Sequence, residues 1–168
     1  MNRMPLKGLY IEDDPSNVLT YQVLFAPEGF EIVSVPQLPL TPEDLYPMVM
    51  EADPDFLLID HELNKKVAYT GYDALCEIRK QDSTIFAVLL TNFPVQDFKK
   101  EFGIYDLEVR KGELDNDDKI DEVVQKIKRA CMRASEDEVL AHAEENRRFA
   151  EKSLEILRQI HKKVTETT

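Results

Sequence analysis

Three carboxylates, a hydroxyl and an ammonium can together hold a divalent cation against a bound anion. This chain places such a set just past its apolar runs: Glu12 and Asp13 follow LKGLYI, Asp60 closes DFLLID, Thr91 follows IFAVLL, and Lys111 lies beyond a weaker run over 104–109. Carboxylates brought together repel one another and shift upward in pKa unless a cation joins them. A hard divalent ion with oxygen ligands, Mg2+, resolves that conflict. Thr91 and Lys111 would then offer a hydroxyl and a positive charge to an anion opposite the metal. Each residue also has a plainer reading by itself. Asp60 can cap a loop, and Glu12, Asp13 and Asp14 can form a solvated acidic turn. Thr91 can be the N-cap of a helix, and Lys111 a surface lysine beside Arg110.

These side chains meet only if the strands carrying them lie side by side and run the same way. Leu6–Ile11 reads as a strand, and Pro15 or Ser16 opens a helix to about Phe25 that Pro27 and Gly29 close. Residues 30–35, FEIVSV, have strand composition. Thr41 and Pro42 resemble a helix start, with Leu45, Met48, Val49 and Ala52 at helical spacing. Pro47 inside that segment makes the helix short or distorted. A strand over 55–60, a helix over 71–80, a strand over 85–90, a short helix over 94–102 ended by Gly103 and a strand over 104–109 complete the pattern. Repeated β–α units with continuous apolar strands imply an α/β fold, a doubly wound five-stranded parallel sheet covered on both faces. The carboxyl ends of such strands face one crevice, where ligands bind.

The chain has 168 residues, 43% of them hydrophobic, and a formal net charge of −12. That composition fills a core and argues against disorder and against binding by neutralising nucleic-acid phosphates. No apolar run approaches the ~20 residues of a membrane span, and MNRMPLKG lacks the apolar stretch of a secretory signal. Cys76 and Cys131 have no CxxC spacing. The expectation is a reduced, cytoplasmic protein with neither a membrane nor a nucleic-acid partner.

Residues 114–168 hold 13 acids and 11 bases, a net of −2, which leaves −10 for residues 1–113; all nine Pro and all five Gly also precede residue 114. The chain therefore reads as a domain over 1–134 and a helical tail over 135–168. Ile120, Val124, Ile127 and Cys131 form the stripe of a last helix packing on the sheet. Beyond Ser135, Leu140, Ala143, Ala150, Leu154, Leu157 and Val164 fall near heptad spacing, interrupted by Arg147 and His161 and widened by Phe149, Ile156 and Ile160. Such a tail either folds back on its own chain or makes a coiled-coil or bundle contact with a second subunit or a partner. A winged-helix output would need more residues, glycine turns and more basic charge. His142 and His161 read as surface residues.

The motifs LYIEDDPSN, LLIDHEL, VLLTN and VRKGEL, in this order and spacing, resemble those of response-regulator receiver domains, the phospho-acceptor modules of two-component signalling. The resemblance covers residues 6–130 and implies the flavodoxin-like receiver fold. It implies that Asp60 accepts a phosphoryl group from a histidine kinase or phosphotransfer protein. It also implies Mg2+ bound by Asp13, Asp60 and the backbone carbonyl of Glu62, with Glu12 acting through a water. Thr91 and Lys111 would each take a phosphoryl oxygen, and the output would be contact with a protein effector or a second copy. Such a protein is no enzyme beyond its own phosphoryl transfer and dephosphorylation.

The chain departs from that family in three places. Asn64 stands where Pro is common, in a loop that reaches Gly71 eleven residues after Asp60 and is longer than the family's. Glu108 replaces the aromatic expected three positions before the lysine, and Gly112 follows Lys111 where Pro is customary. Two other readings stay open: a phosphorylation-independent receiver fold held by its tail to an effector, and a phosphohydrolase on a related sheet. The second lacks an acid–base Asp two residues past Asp60, where Glu62 stands.

Overall fold

A computed structural model describes residues 4–63, 66–92 and 104–166. Five strands, β1 (Leu6–Ile11), β2 (Phe30–Ser34), β3 (Phe56–Asp60), β4 (Phe86–Thr91) and β5 (Leu107–Arg110), form one sheet in the order β2-β1-β3-β4-β5. Every pairing is parallel. Four α-helices are described: α1 (Pro15–Phe25), α2 (Leu45–Ala52), α3 (Gly71–Gln81) and α4 (Asp117–Glu166). The helix expected over 94–102 lies outside the described residues. By contact the chain divides into two units, Met1–Lys128 and Arg129–Thr168. Among the described residues no helix is long and apolar enough to cross a membrane.

The helix starts follow from local chemistry. At α1, Asp14 Oδ1 accepts the Ser16 N–H at 2.9 Å and Pro15 fills the first turn, where no N–H is needed. A 3-10 turn, Ala26–Glu28, follows, and Gly29 reverses the chain at φ 81°, a conformation that glycine adopts without strain. Pro47 sits in the first turn of α2, so its missing N–H breaks no helix bond; the helix is short, eight residues after a 3-10 turn at Pro42–Asp44. Thr70 and Asp73 cap α3 reciprocally, each side chain taking the other's backbone N–H at 3.2 and 2.9 Å.

All five residues of β3 are buried, as the centre of a two-faced sheet requires. One face sends Leu9, Ile11, Leu57, Ile59 and Leu89 against Leu45 and Val49 of α2 and Leu75 and Ile78 of α3. The other face carries a row of rings, Tyr10–Tyr21–Phe25–Phe30–Phe56, with successive centroids 5.0–6.1 Å apart. The first turns of α4 bury Ile120, Val123, Val124 and Ile127. The expected stripe thus gains Val123, while Cys131 is only half-buried.

The start of β5 falls later than its apolar run suggests, because Asp106 has another use. Its carboxylate accepts the Ala87 N–H at 2.8 Å and pairs with Arg79 at 2.9 Å. The Arg79 side chain is 7% exposed and also donates to the carbonyls of Ile104 and Ile85, at 2.9 and 2.6 Å. It therefore ties α3 to the segments entering β4 and β5. Arg79→Ala strands two part-buried carbonyls and the Asp106 carboxylate and should cost about 2 kcal/mol, read as a lowered urea midpoint at unchanged m. A change below 0.5 kcal/mol would remove Arg79 from this role.

Candidate functional site

Strand register brings the site together. Ile11 of β1 pairs with Ile59, Asp60 of β3 with Leu90, and Thr91 of β4 with Arg110. Each partner strand therefore ends within a residue of the same level, and Glu12, Asp60, Thr91 and Lys111 share the carboxyl edge of the sheet. His61 N–H bonds the Leu90 carbonyl at 2.7 Å, and Gly71 N–H bonds the His61 carbonyl at 3.0 Å. These two bonds hold both ends of the long loop after Asp60 against the sheet.

Glu12 is buried and fully hydrogen-bonded. Its Oε1 accepts the backbone N–H groups of Asp13 and Asp14, at 2.7 and 3.1 Å. Its Oε2 accepts the Tyr10 hydroxyl at 3.1 Å and the Asn17 amide at 2.9 Å. Burial works to raise this carboxyl, but hydrogen bonds from Asp60, Asp13, Asn17 and the Asp14 backbone outweigh it and hold Glu12 at about 2. Glu12 is thus an anion that shapes the turn presenting Asp13. Burial, then hydrogen bonding to Glu12 and its charge, push Asp13 up to about 6. The Lys66 ammonium caps the Asp13 carbonyl at 2.6 Å.

Asp60, 1% exposed, is the electrostatic centre. Its Oδ1 accepts the Glu62 N–H at 3.0 Å, and its Oδ2 accepts Lys111 Nζ, which also lies 3.8 Å from Glu12 Oε2. Burial and the neighbouring Glu12 and Glu62 carboxyls push Asp60 up to about 8, with Lys111 pulling the other way. The Tyr10 phenol, buried beside Asp60 and Glu12, is pushed far up as well.

Thr91 is buried, and its hydroxyl donates to Glu62 Oε1 at 3.0 Å. The Asn92 N–H donates to the same oxygen at 3.0 Å. Burial raises the Glu62 carboxyl, but hydrogen bonding with Asp60, Asn92 and Thr91 outweighs it and holds Glu62 below the usual glutamate range. The five residues expected from the sequence therefore lie at one edge, and Lys111 touches Asp60 directly. The Glu62 side chain, Tyr10, Asn17 and the Asn92 N–H were not foreseen. All four lie inside the quoted motifs, but their roles come only from contacts made in the fold: Tyr10 and Asn17 with Glu12, Glu62 with Thr91, and the Asn92 N–H with Glu62. A cavity of about 450 Å3 adjoins Glu12 and Asp13, walled by Val18, Leu19, Val35 and Leu38.

Among the described residues no three Asp, Glu, His or Cys side chains already converge into a metal cage. The donor chemistry nevertheless suits a hard divalent cation. All the nearby ligand atoms are oxygens, and burial with the neighbouring Glu12 and Glu62 carboxyls raises the Asp60 carboxyl even with Lys111 against it, a strain that a bound cation would offset.

No protein-family model matches this chain, nor does any curated protein. Solved structures do. The response regulator TrrA of Thermotoga maritima in complex with Mg2+-BeF is 22% identical at a TM-score of 0.59, with 73% of this chain and 98% of that one covered. TrrA in complex with the histidine kinase ThkA matches at 22% identity and a TM-score of 0.57, covering 73% and 97%. A third match, with magnesium coordinated in its active-site cleft, is the receiver domain of a Pseudomonas aeruginosa sensor histidine kinase. It is 19% identical at a TM-score of 0.56, covering 76% and 98%. At these identities the likeness carries the fold.

Proposed function

We propose that this chain, which has the receiver fold of two-component response regulators, is a phospho-acceptor signalling protein that takes a phosphoryl group on Asp60. The observation behind this reading is a buried aspartate bonded by Lys111 and the Glu62 N–H at the sheet edge, with the Thr91 hydroxyl and Asn92 N–H gathered beside it on the Glu62 carboxylate. The donor would be the phosphohistidine of a histidine kinase or phosphotransfer protein. An Asp60 oxygen forms the new O–P bond as the P–N bond breaks, and the bonding pair stays on the imidazole nitrogen. Asp13, Asp60 and the backbone carbonyl of Glu62 would hold Mg2+, which supplies positive charge beside the phosphoryl oxygens. Glu12 acts here as a positioning residue, through the turn that presents Asp13. Lys111 and Thr91 each neutralise or bond one phosphoryl oxygen, so the protein contributes placement and charge. Incubation with acetyl phosphate and Mg2+ should add one phosphoryl group by intact mass. No adduct under any donor would leave the other reading, a phosphorylation-independent binding module.

Output goes to protein, through the tail. Beyond Arg129, α4 exposes Val139, Leu140, Phe149, Leu154, Ile156, Leu157 and Ile160. Residues 136–145 carry five acids and no Lys or Arg, whereas residues 147–163 carry six bases against two acids. A second copy lying antiparallel sets the acidic stretch of each helix against the basic stretch of the other, while buried apolar area supplies the affinity. Sedimentation at micromolar concentration should show a dimer for the full chain and a monomer for residues 1–134. A monomeric full chain would refute self-pairing.

A further inference from the structure

The donors that would bond a phosphoryl oxygen are already engaged. Glu62 Oε1 accepts both the Thr91 hydroxyl and the Asn92 N–H, each at 3.0 Å. The turn after β3 arranges this: Glu62 N–H bonds Asp60 Oδ1 at 3.0 Å, which directs the side chain across Asp60 toward the end of β4. The second oxygen, Oε2, is buried with no hydrogen-bond partner among the described residues. Burying half a carboxylate without a partner is costly, so this rotamer is held by what Oε1 gains. An anion accepting two hydrogen bonds from one hydroxyl and one backbone amide is the arrangement that a phosphoryl oxygen needs.

We propose that the Glu62 carboxylate is a resident stand-in for the phosphoryl group, keeping Thr91 turned inward in the unmodified chain and leaving that position when Asp60 is phosphorylated. The inference rests on the phospho-acceptor reading and adds a competitor to it. A phosphoryl group brings a charge of about −1.5 to −2. The same two donors cannot serve it and the Glu62 anion together, so the glutamate swings out and each incoming anion meets this cost. In the unmodified chain Glu62 populates, without phosphate, part of the local arrangement that phosphate stabilises.

The test pairs a ligand-free measurement with a competition. In the full-length protein without metal or phosphate, the Asn92 amide proton should move upfield in both Glu62→Gln and Glu62→Ala, most in the latter. Affinity for beryllofluoride with Mg2+, titrated by the same amide spectra, should be about tenfold tighter in both variants than in wild type. An Asn92 amide unmoved by either substitution overturns the proposal, as does Glu62→Ala binding beryllofluoride no better than wild type. If neither wild type nor variants take up beryllofluoride, the phospho-acceptor reading falls instead. The ligand-free amide shift then still decides whether Glu62 occupies these donors.

Discussion

Asp60→Asn is expected to abolish phosphoryl uptake entirely and, in metal-free protein, to remove a loss of stability that wild type suffers on going from about pH 6.5 to about pH 8. The first effect follows because an amide oxygen cannot form the acyl phosphate. The second follows from linkage. Asp60 is raised from 3.8 to about 8 in the fold, so between those values the folded chain binds a proton that the unfolded chain has released. Stability therefore falls as pH rises through that interval and levels off above it. Asp13, raised to about 6, acts with the same sign but mostly below the chosen window, and its small remainder is shared by wild type and variant. Glu12 has the opposite sign, contributing stability above its unfolded value of 4.5 that is lost only in acid. Over about 1.5 pH units Asp60 should cost wild type about 2 kcal/mol. Urea denaturation in chelator at both pH values measures it. A wild type and a D60N protein with parallel pH dependence would show that Asp60 is not the titrating group. Mg2+ should recover the lost stability in wild type only, by binding the folded state.

The second large effect is expected at Gly71, the first residue of α3. A Cβ built there overlaps the carbonyl oxygen of Asp60 and stands 2.7 Å from the Asp60 carbonyl carbon and 2.9 Å from Ile59 Cγ2. The obstacle is backbone, which no rotamer change relieves. Gly71→Ala must push β3 and α3 apart or drop the hydrogen bond from Gly71 N–H to the His61 carbonyl. A cost of about 3 kcal/mol is expected, together with reduced phosphoryl uptake, since the residue displaced is Asp60 itself. Gly112 is the control: a Cβ there meets nothing within 4 Å, so Gly112→Ala next to Lys111 should leave stability within 0.5 kcal/mol. Equal Tm values and equal uptake for the two variants would refute the close-packing account.

Some of this was legible without coordinates. Glu12, Asp13, Asp60, Thr91 and Lys111 stand out because each follows an apolar run, and a buried parallel strand advertises itself by such a run. The ends of the first helix were legible for the same local reason, through Pro15, Pro27 and Gly29, whereas the caps at Asp14 and Thr70 came only with the structure. Pro47 was a harder case, since only its place in the first turn of α2 makes it harmless. Leu107, as the true start of β5, was not legible, because Asp106 spends its side chain on Ala87 and Arg79, which lie in other elements.

The sequence by itself determined the α/β class, the strands, the polar residues at their ends and a helical tail whose charge divides into an acidic and a basic stretch. These depend on neighbours within a few positions along the chain. Only the tertiary structure decided that Lys111 reaches Asp60, that Glu12 is spent on the turn holding Asp13, that Gly71 backs onto the Asp60 carbonyl and that Glu62 sits on Thr91 and Asn92. Those are contacts between strands brought together by register, and a shift of one residue in any pairing would turn every side chain on that strand to the opposite face.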